Sequence, residues 1–315
     1  MRLIEGLDAL LSLDLVAHFG DTLASRSVVA VGVFDGVHLG HQRLLHQLLE
    51  MASGLRCTPT VITFENHPDQ ILRGEAPPLI VSVPHRLRLL RRAGVRRVVL
   101  LQFEPRLREL TAQQFAERVL RDALRARGLL LGYDSALGRE REGTPQRFRE
   151  LGAELGFEVR TGSPFEVDSR PVSSTEIRGA IARGDLDLAQ RYLGRSPGAL
   201  GMVVRGDGRG HGLGFPTANV DVQPAVLPPD GVYAVEAIVD ANVHLAVANL
   251  GPRPTFASGR ALEVHLLDFA GDLYGRELEV LFRQRLRDVR AFDGADELRA
   301  QIRRDVAAAR DCLTA

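Results

Sequence analysis

The chain has 315 residues, of which 45% are apolar and 25% charged, enough for two domains with cores of their own. Its 40 basic residues balance 40 acidic ones, and this neutrality gives no support for a general nucleic-acid or membrane surface. Every basic residue is arginine, so a Walker-type P-loop, a protein-kinase ATP lysine and a Schiff base are excluded, and phosphate charge falls to arginine, backbone N–H, histidine or metal.

In chain order, the first half alternates two kinds of pattern. Short apolar runs predict strands at Val28–Phe34, Pro59–Phe64, Arg97–Gln102, Gly128–Gly132 and Phe157–Arg160. Between them, helical spacing predicts His41–Ser53, Pro84–Ala93, Thr111–Ala126, Pro145–Leu155 and Thr175–Arg183. Alternation of this kind argues a parallel sheet covered on both faces, an α/β domain. Asp185–Leu193 reads as a short linking helix, broken by Gly194 to Gly198. Then come strand-like runs without helices between them: Leu200–Arg205, Gly231–Val239, Val243–Leu250, Leu262–Phe269 and Glu277–Arg285. These predict an antiparallel barrel or sandwich, closed by a helix over Ala295–Arg310. The expected domains are residues 1–186 and 187–315. The only cysteines, Cys57 and Cys312, form neither a disulfide framework nor a zinc site. With no run of membrane-spanning length and no leader pattern, a cytoplasmic protein without membrane or nucleic-acid partners is expected, as a monomer or weak homo-oligomer.

Chemistry concentrates at three places. The first is Gly32-Val33-Phe34-Asp35-Gly36-Val37-His38-Leu39-Gly40-His41, a turn that follows a buried strand and opens a helix. It places His38 and His41 three apart on one helix face, where free N–H groups and the positive end of the helix dipole suit nucleotide phosphates. The second is Ser173-Ser174-Thr175-Glu176-Ile177-Arg178. Alone it is an ordinary helix cap, but beside the first it offers a second phosphate-binding helix start. The third is the glycine-rich run from Gly206 to Asn219, containing Gly206, Gly210, Gly214, Pro216, Thr217 and Asn219. It fits neither a dinucleotide fingerprint nor a Walker loop. Read from the residues, a plain hairpin loop and a polyphosphate loop stand level. Thr217 and Asn219 offer oxygens suited to a hard cation such as Mg²⁺.

Taken together, F-D-G-V-H-L-G-H-Q and S-S-T-E-I-R resemble the adenylyltransferase domain of prokaryotic bifunctional riboflavin kinase/FMN adenylyltransferases, within the wider H-x-G-H nucleotidyltransferase superfamily. The resemblance implies a Rossmann-like fold, and a nucleotide site of Gly32, Phe34, Asp35, Gly40, Asp134, Ser174 and Thr175. His38 and His41 would hold ATP phosphates, and Arg178, with Ser174 and Thr175, the other side. Two departures stand out. Thr63-Phe64-Glu65-Asn66-His67-Pro68 replaces T-F-x-P-H-P, and Gly132-Tyr133-Asp134-Ser135-Ala136-Leu137-Gly138 lacks both phenylalanines of G-x-[DN]-F-x-F-G.

The second half resembles the same family's kinase domain through G-L-G-F-P-T-A-N, then Asn249-Leu250-Gly251-Pro252-Arg253-Pro254-Thr255-Phe256, then L-E-V-H-L-L-D-F and Asp272-Leu273-Tyr274-Gly275-Arg276. His211 stands where the family often has arginine. By pattern alone, Glu263 and His265 would face water on a half-exposed strand. The resemblance instead implies a small barrel in which Thr217 and Asn219 bind Mg²⁺–ATP and Glu263 is the general base. The expected substrates are riboflavin, FMN and ATP, with FAD as product. A kinase with a decayed first domain and a non-enzymatic flavin binder remain alternatives. A fragment of an aminoacyl-tRNA synthetase has little support, for want of a lysine-bearing second signature.

Overall fold

Valine- and leucine-rich runs form the strands of the first half because a strand buried on both faces can carry apolar side chains at every position. They are β1 (Arg2–Glu5), β2 (Ser27–Val31), β3 (Thr58–Phe64), β4 (Arg97–Leu101), β5 (Ala126–Leu131) and β6 (Glu158–Thr161). The computed structural model describes residues 1–19, 22–133, 135, 137–206, 213–252 and 260–314. Asp134, Gly210 and His211 lie outside the described residues.

By its contacts the chain divides into two units. One comprises Met1–Pro77 and Arg86–Val172, the other Pro78–His85 and Ser173–Ala315. The first unit holds the expected parallel sheet, in the order β1-β4-β3-β2-β5-β6. From β2 the chain builds outward through β3 and β4, then returns to the other side of β2 with β5. The reversal makes the carboxyl end of β2 a topological switch point, where ligands bind in such sheets. β1, too short to show a pattern, was not expected; it pairs with β4. The apolar core includes Val29, Val31, Ile62, Val99, Leu129 and Phe148. The helix expected over Thr111–Ala126 is shorter: a turn at Ala112–Gln114, capped by Thr111, runs into a π-helix at Phe115–Ala123. A small hairpin, β7 (Glu166–Val167) with β8 (Arg170–Pro171), ends this unit.

In the second unit six antiparallel strands close a barrel in the order β10-β13-β12-β11-β14-β9. They are β9 (Gly198–Val204), β10 (Ala218–Val222), β11 (Gly231–Val239), β12 (Asn242–Pro252), β13 (Arg260–Leu266) and β14 (Glu277–Arg287). β10, which starts inside P-T-A-N, was not among the expected strands. Ala218, Val220, Leu262, Val264, Ala248 and Leu250 fill the interior. The terminal helix Ala295–Thr314 lays Ala309, Val306 and Leu313 against Val232, Ala234 and Val247. Arg287 Nε and Nη2 reach both oxygens of Asp305 at 2.9–3.1 Å, hydrogen bonds of a charged kind that contribute about 1.5–3 kcal/mol each.

The segment Pro78–His85 counts with this barrel. Ile80 and Val81 are buried, Val226 N–H donates to Leu79 O at 2.8 Å, and Ser82 Oγ donates to Gln223 Oε1 at 2.7 Å. His85 Nε2 lies 3.2 Å from Glu279 Oε1 on β14, both residues 1% exposed.

Candidate active sites

β2 stops at Val31, opposite Ile62, because the chain then turns sharply. Phe34, Gly36 and Val37 adopt φ of 52°, 74° and 41°. A β-branched residue at positive φ is a steric outlier, and strain of this kind persists only where surrounding contacts over-determine it. Those contacts are present. Thr63 Oγ1 donates to Val33 O at 2.8 Å, and Gln42 Nε2 donates to Val37 O at 2.9 Å. The turn delivers His38 as N-cap of the helix Leu39–Gly54. The rings of His38 and His41 stack, with centroids 3.6 Å apart and planes 20° from parallel, and Phe34 lies against His41 at 5.1 Å. Gly40 permits this, since a Cβ there would come within 3.2 Å of His38 Cε1. Gly32 lies against Phe34 in the same way, and Asp35 is buried.

His41 N–H donates to His38 Nδ1 at 3.3 Å. Nδ1 of His38 therefore serves as the acceptor that caps the helix. His41 keeps some exposed surface, but its Nδ1 has none. Burial holds its pKa well below the ordinary 6.5, and the neighbouring charges of His38 and Arg86 push the same way. His41 is thus neutral at pH 7, and its ring can act as an N–H donor. The unfolded chain binds the extra proton first as pH falls. The stability due to neutral His41 is therefore fully present above about pH 6.5 and is lost toward the lower folded pKa. Between about pH 7.5 and 5.5 the Tm of the native protein should fall more steeply than that of His41→Asn. Parallel slopes would show that His41 is not the source.

The second expected element is a helix at Ser174–Arg183, whose N-cap Ser173 Oγ accepts from Glu176 N–H at 3.3 Å. Arg178 Nη1 approaches Thr175 Oγ1 at 3.5 Å; Thr175 is exposed, while Ser174 and Arg178 are half-buried. By contacts this helix counts with the second unit.

On the barrel, register does what the sequence could not show. Asn219 on β10 pairs with Glu263 on β13, and Glu263 pairs with Asn249 on β12. The three form a polar row across adjacent strands. Ala218, Val264 and Ala248, one step along each strand, point into the core, so the row lies on the opposite face. Asn219 is 7% exposed. Gly206 sits so close to it that any Cβ would collide with the Asn219 amide. Pro216 O accepts from His265 Nδ1 at 2.8 Å, and Gly214 takes φ of 82° at the end of the glycine run. Thr217 and Pro216 line a cavity of about 240 Å³ with Val203, Phe269, Leu273 and Tyr274; Asn219 and Glu263 stand outside that lining.

Known proteins with this organisation are matched over both halves. Residues 21–176 match the FAD synthetase family and residues 193–313 the riboflavin kinase family. The bifunctional riboflavin kinase/FMN adenylyltransferase of Pseudomonas fluorescens is 42% identical over 285 residues, 90% of this chain and 92% of that protein. The chain belongs to the bifunctional riboflavin kinase/FMN adenylyltransferase family. The family member from Escherichia coli strain K12 is 40% identical over 287 residues, 90% of this chain and 92% of its own. A crystal structure described as a macrolide-efflux protein from Streptococcus pneumoniae has a TM-score of 0.81 at 31% identity, covering 98% of this chain and 99% of that one. Among the described residues no helix is long and apolar enough to cross a membrane.

Two residues at these sites escaped the sequence reading. Asn249 was quoted only as part of a family motif, and nothing local marks it as a cross-strand neighbour of Glu263. Arg86 left a local signal: it shares the apolar stripe of its helix with Leu89 and Leu90, three and four residues on, where a charge is out of place.

Proposed function

We propose that this chain makes FAD from riboflavin in two steps at two sites. The barrel half, residues 187–315, phosphorylates riboflavin with ATP, giving FMN and ADP. The sheet half, residues 1–186, transfers AMP from a second ATP to FMN, giving FAD and pyrophosphate. One observation carries the reading: the likeness to bifunctional relatives runs through both halves at 40–42% identity.

In the first step Glu263 accepts the proton of the terminal ribityl hydroxyl as that oxygen bonds to the γ-phosphorus, and ADP leaves with the bridging oxygen. Thr217 and Asn219 present neutral oxygens, a donor set that fits a hard cation whose charge the phosphates meet; these two residues would hold Mg²⁺. Bound there, the ion would neutralise phosphate charge. In the second step a phosphate oxygen of FMN attacks the α-phosphorus of ATP and pyrophosphate departs. His38, His41 and the N–H groups of their helix start receive the phosphate charge, with Gly32, Phe34, Asp35 and Gly40 shaping the turn. Ser174, Thr175 and Arg178 are assigned to phosphate binding in the same step, as is Asp134. Gly206, Gly210, Gly214 and Pro216 are assigned to the nucleotide of the kinase step. A cytoplasmic monomer or weak homo-oligomer completes the reading.

Purified protein incubated with riboflavin, ATP and Mg²⁺ should yield FMN first and FAD after it, resolved by chromatography. FMN alone would reduce the chain to a kinase; no product at all would leave only a flavin binder.

A further inference from the structure

The residue that organises the adenylyl-transfer turn is an arginine that lies outside the H-x-G-H motif. Arg86, on the helix Val83–Arg92, is 1% exposed. Its Nη1 donates to Val33 O at 2.7 Å and its Nη2 donates to Phe64 O. These carbonyls lie just where β2 and β3 part. The last paired residues are Val31 and Ile62, followed by one further hydrogen bond from Gly32 N–H to Ile62 O at 3.1 Å. Beyond that point β2 has left to form the strained turn, and the guanidinium supplies the missing rung.

We propose that Arg86 is a positioning residue for FMN adenylylation: its planar fork ties the carboxyl ends of β2 and β3 together and fixes the turn that presents His38 and His41 to ATP. The proposal rests on the assignment of the His38–His41 pair to the nucleotide. Three features support it. A guanidinium spans two divergent carbonyls, which a point-charge ammonium does not. Arg86 and Thr63 both bond Val33 O, immediately before the positive-φ residues that need external support. The charge is also electrostatically placed. Asp35 opposes the burial that lowers Arg86 to about 10, so it stays cationic at neutral pH. The charges acting on His41 are those of His38, on its own helix, and of Arg86.

The test uses the full-length protein and measures FAD formation from supplied FMN across pH, with FMN formation from riboflavin as internal control. Arg86→Met should lower kcat/KM for FAD formation by about 10- to 100-fold. Its acid limb should move to higher pH, because His41 loses a positive neighbour. FMN formation should be unchanged. Arg86→Lys restores the charge without the fork, so it should return the acid limb toward the native position but not the rate. FAD formation at the native rate in both variants, or a lysine variant that recovers full rate, overturns the proposal. Should Arg86→Met fail to fold, the lysine variant alone decides between these results. His41→Ala run alongside separates the two ideas: unimpaired FAD formation there would sink the assignment of the pair to the nucleotide, whereas loss there with normal Arg86 variants would sink only the positioning role.

Discussion

Glu263→Gln is expected to lower FMN formation from riboflavin by about 10²- to 10⁴-fold, the usual worth of a general base, with FAD formation from supplied FMN untouched. Glutamine keeps the size of the side chain and its place between Asn219 and Asn249, so the barrel register survives. It cannot take up the ribityl proton. The loss should therefore appear in kcat, with little change in the KM for riboflavin, because the missing interaction belongs to the transition state. Steady-state kinetics on both reactions provide the check. Native FMN formation in the variant would remove Glu263 from the chemistry.

His41→Ala is expected to show the opposite pattern: FAD formation falls by about 10²- to 10³-fold, the cost of one lost donor at a developing phosphate charge, while FMN formation is retained. The ring stacks on His38 and lies against Phe34, and its removal takes away both contacts while the backbone N–H of residue 41 still caps through His38 Nδ1. Pyrophosphate release with FMN and ATP reads the step directly. If a folded His41→Ala protein lost both activities, the assignment of the reactions to separate sites would be wrong.

The legible parts of the molecule were those written in contiguous residues. Alternating apolar runs announced the parallel sheet, and H-x-G-H after a strand announced a turn that opens a helix, because a turn and its helix are local. β1 and β10 were not legible. Each is only four or five residues long, and each owes its existence to a partner far along the chain, β4 for one and β13 for the other. The polar row of Asn219, Glu263 and Asn249 exists only through register, which no single strand encodes. The π-helix at Phe115–Ala123 was hidden for a different reason: its apolar spacing is that of an ordinary helix.

The membership of Pro78–His85 in the barrel has a consequence for biosynthesis. His85 leaves the ribosome about 190 residues before Glu279, its neighbour on β14, which is roughly 10–40 s of translation at 5–20 residues per second. Leu79 and Ser82 likewise wait for Val226 and Gln223 before their hydrogen bonds can form. The nascent first half therefore carries a segment whose hydrogen-bond partners are made only with the barrel.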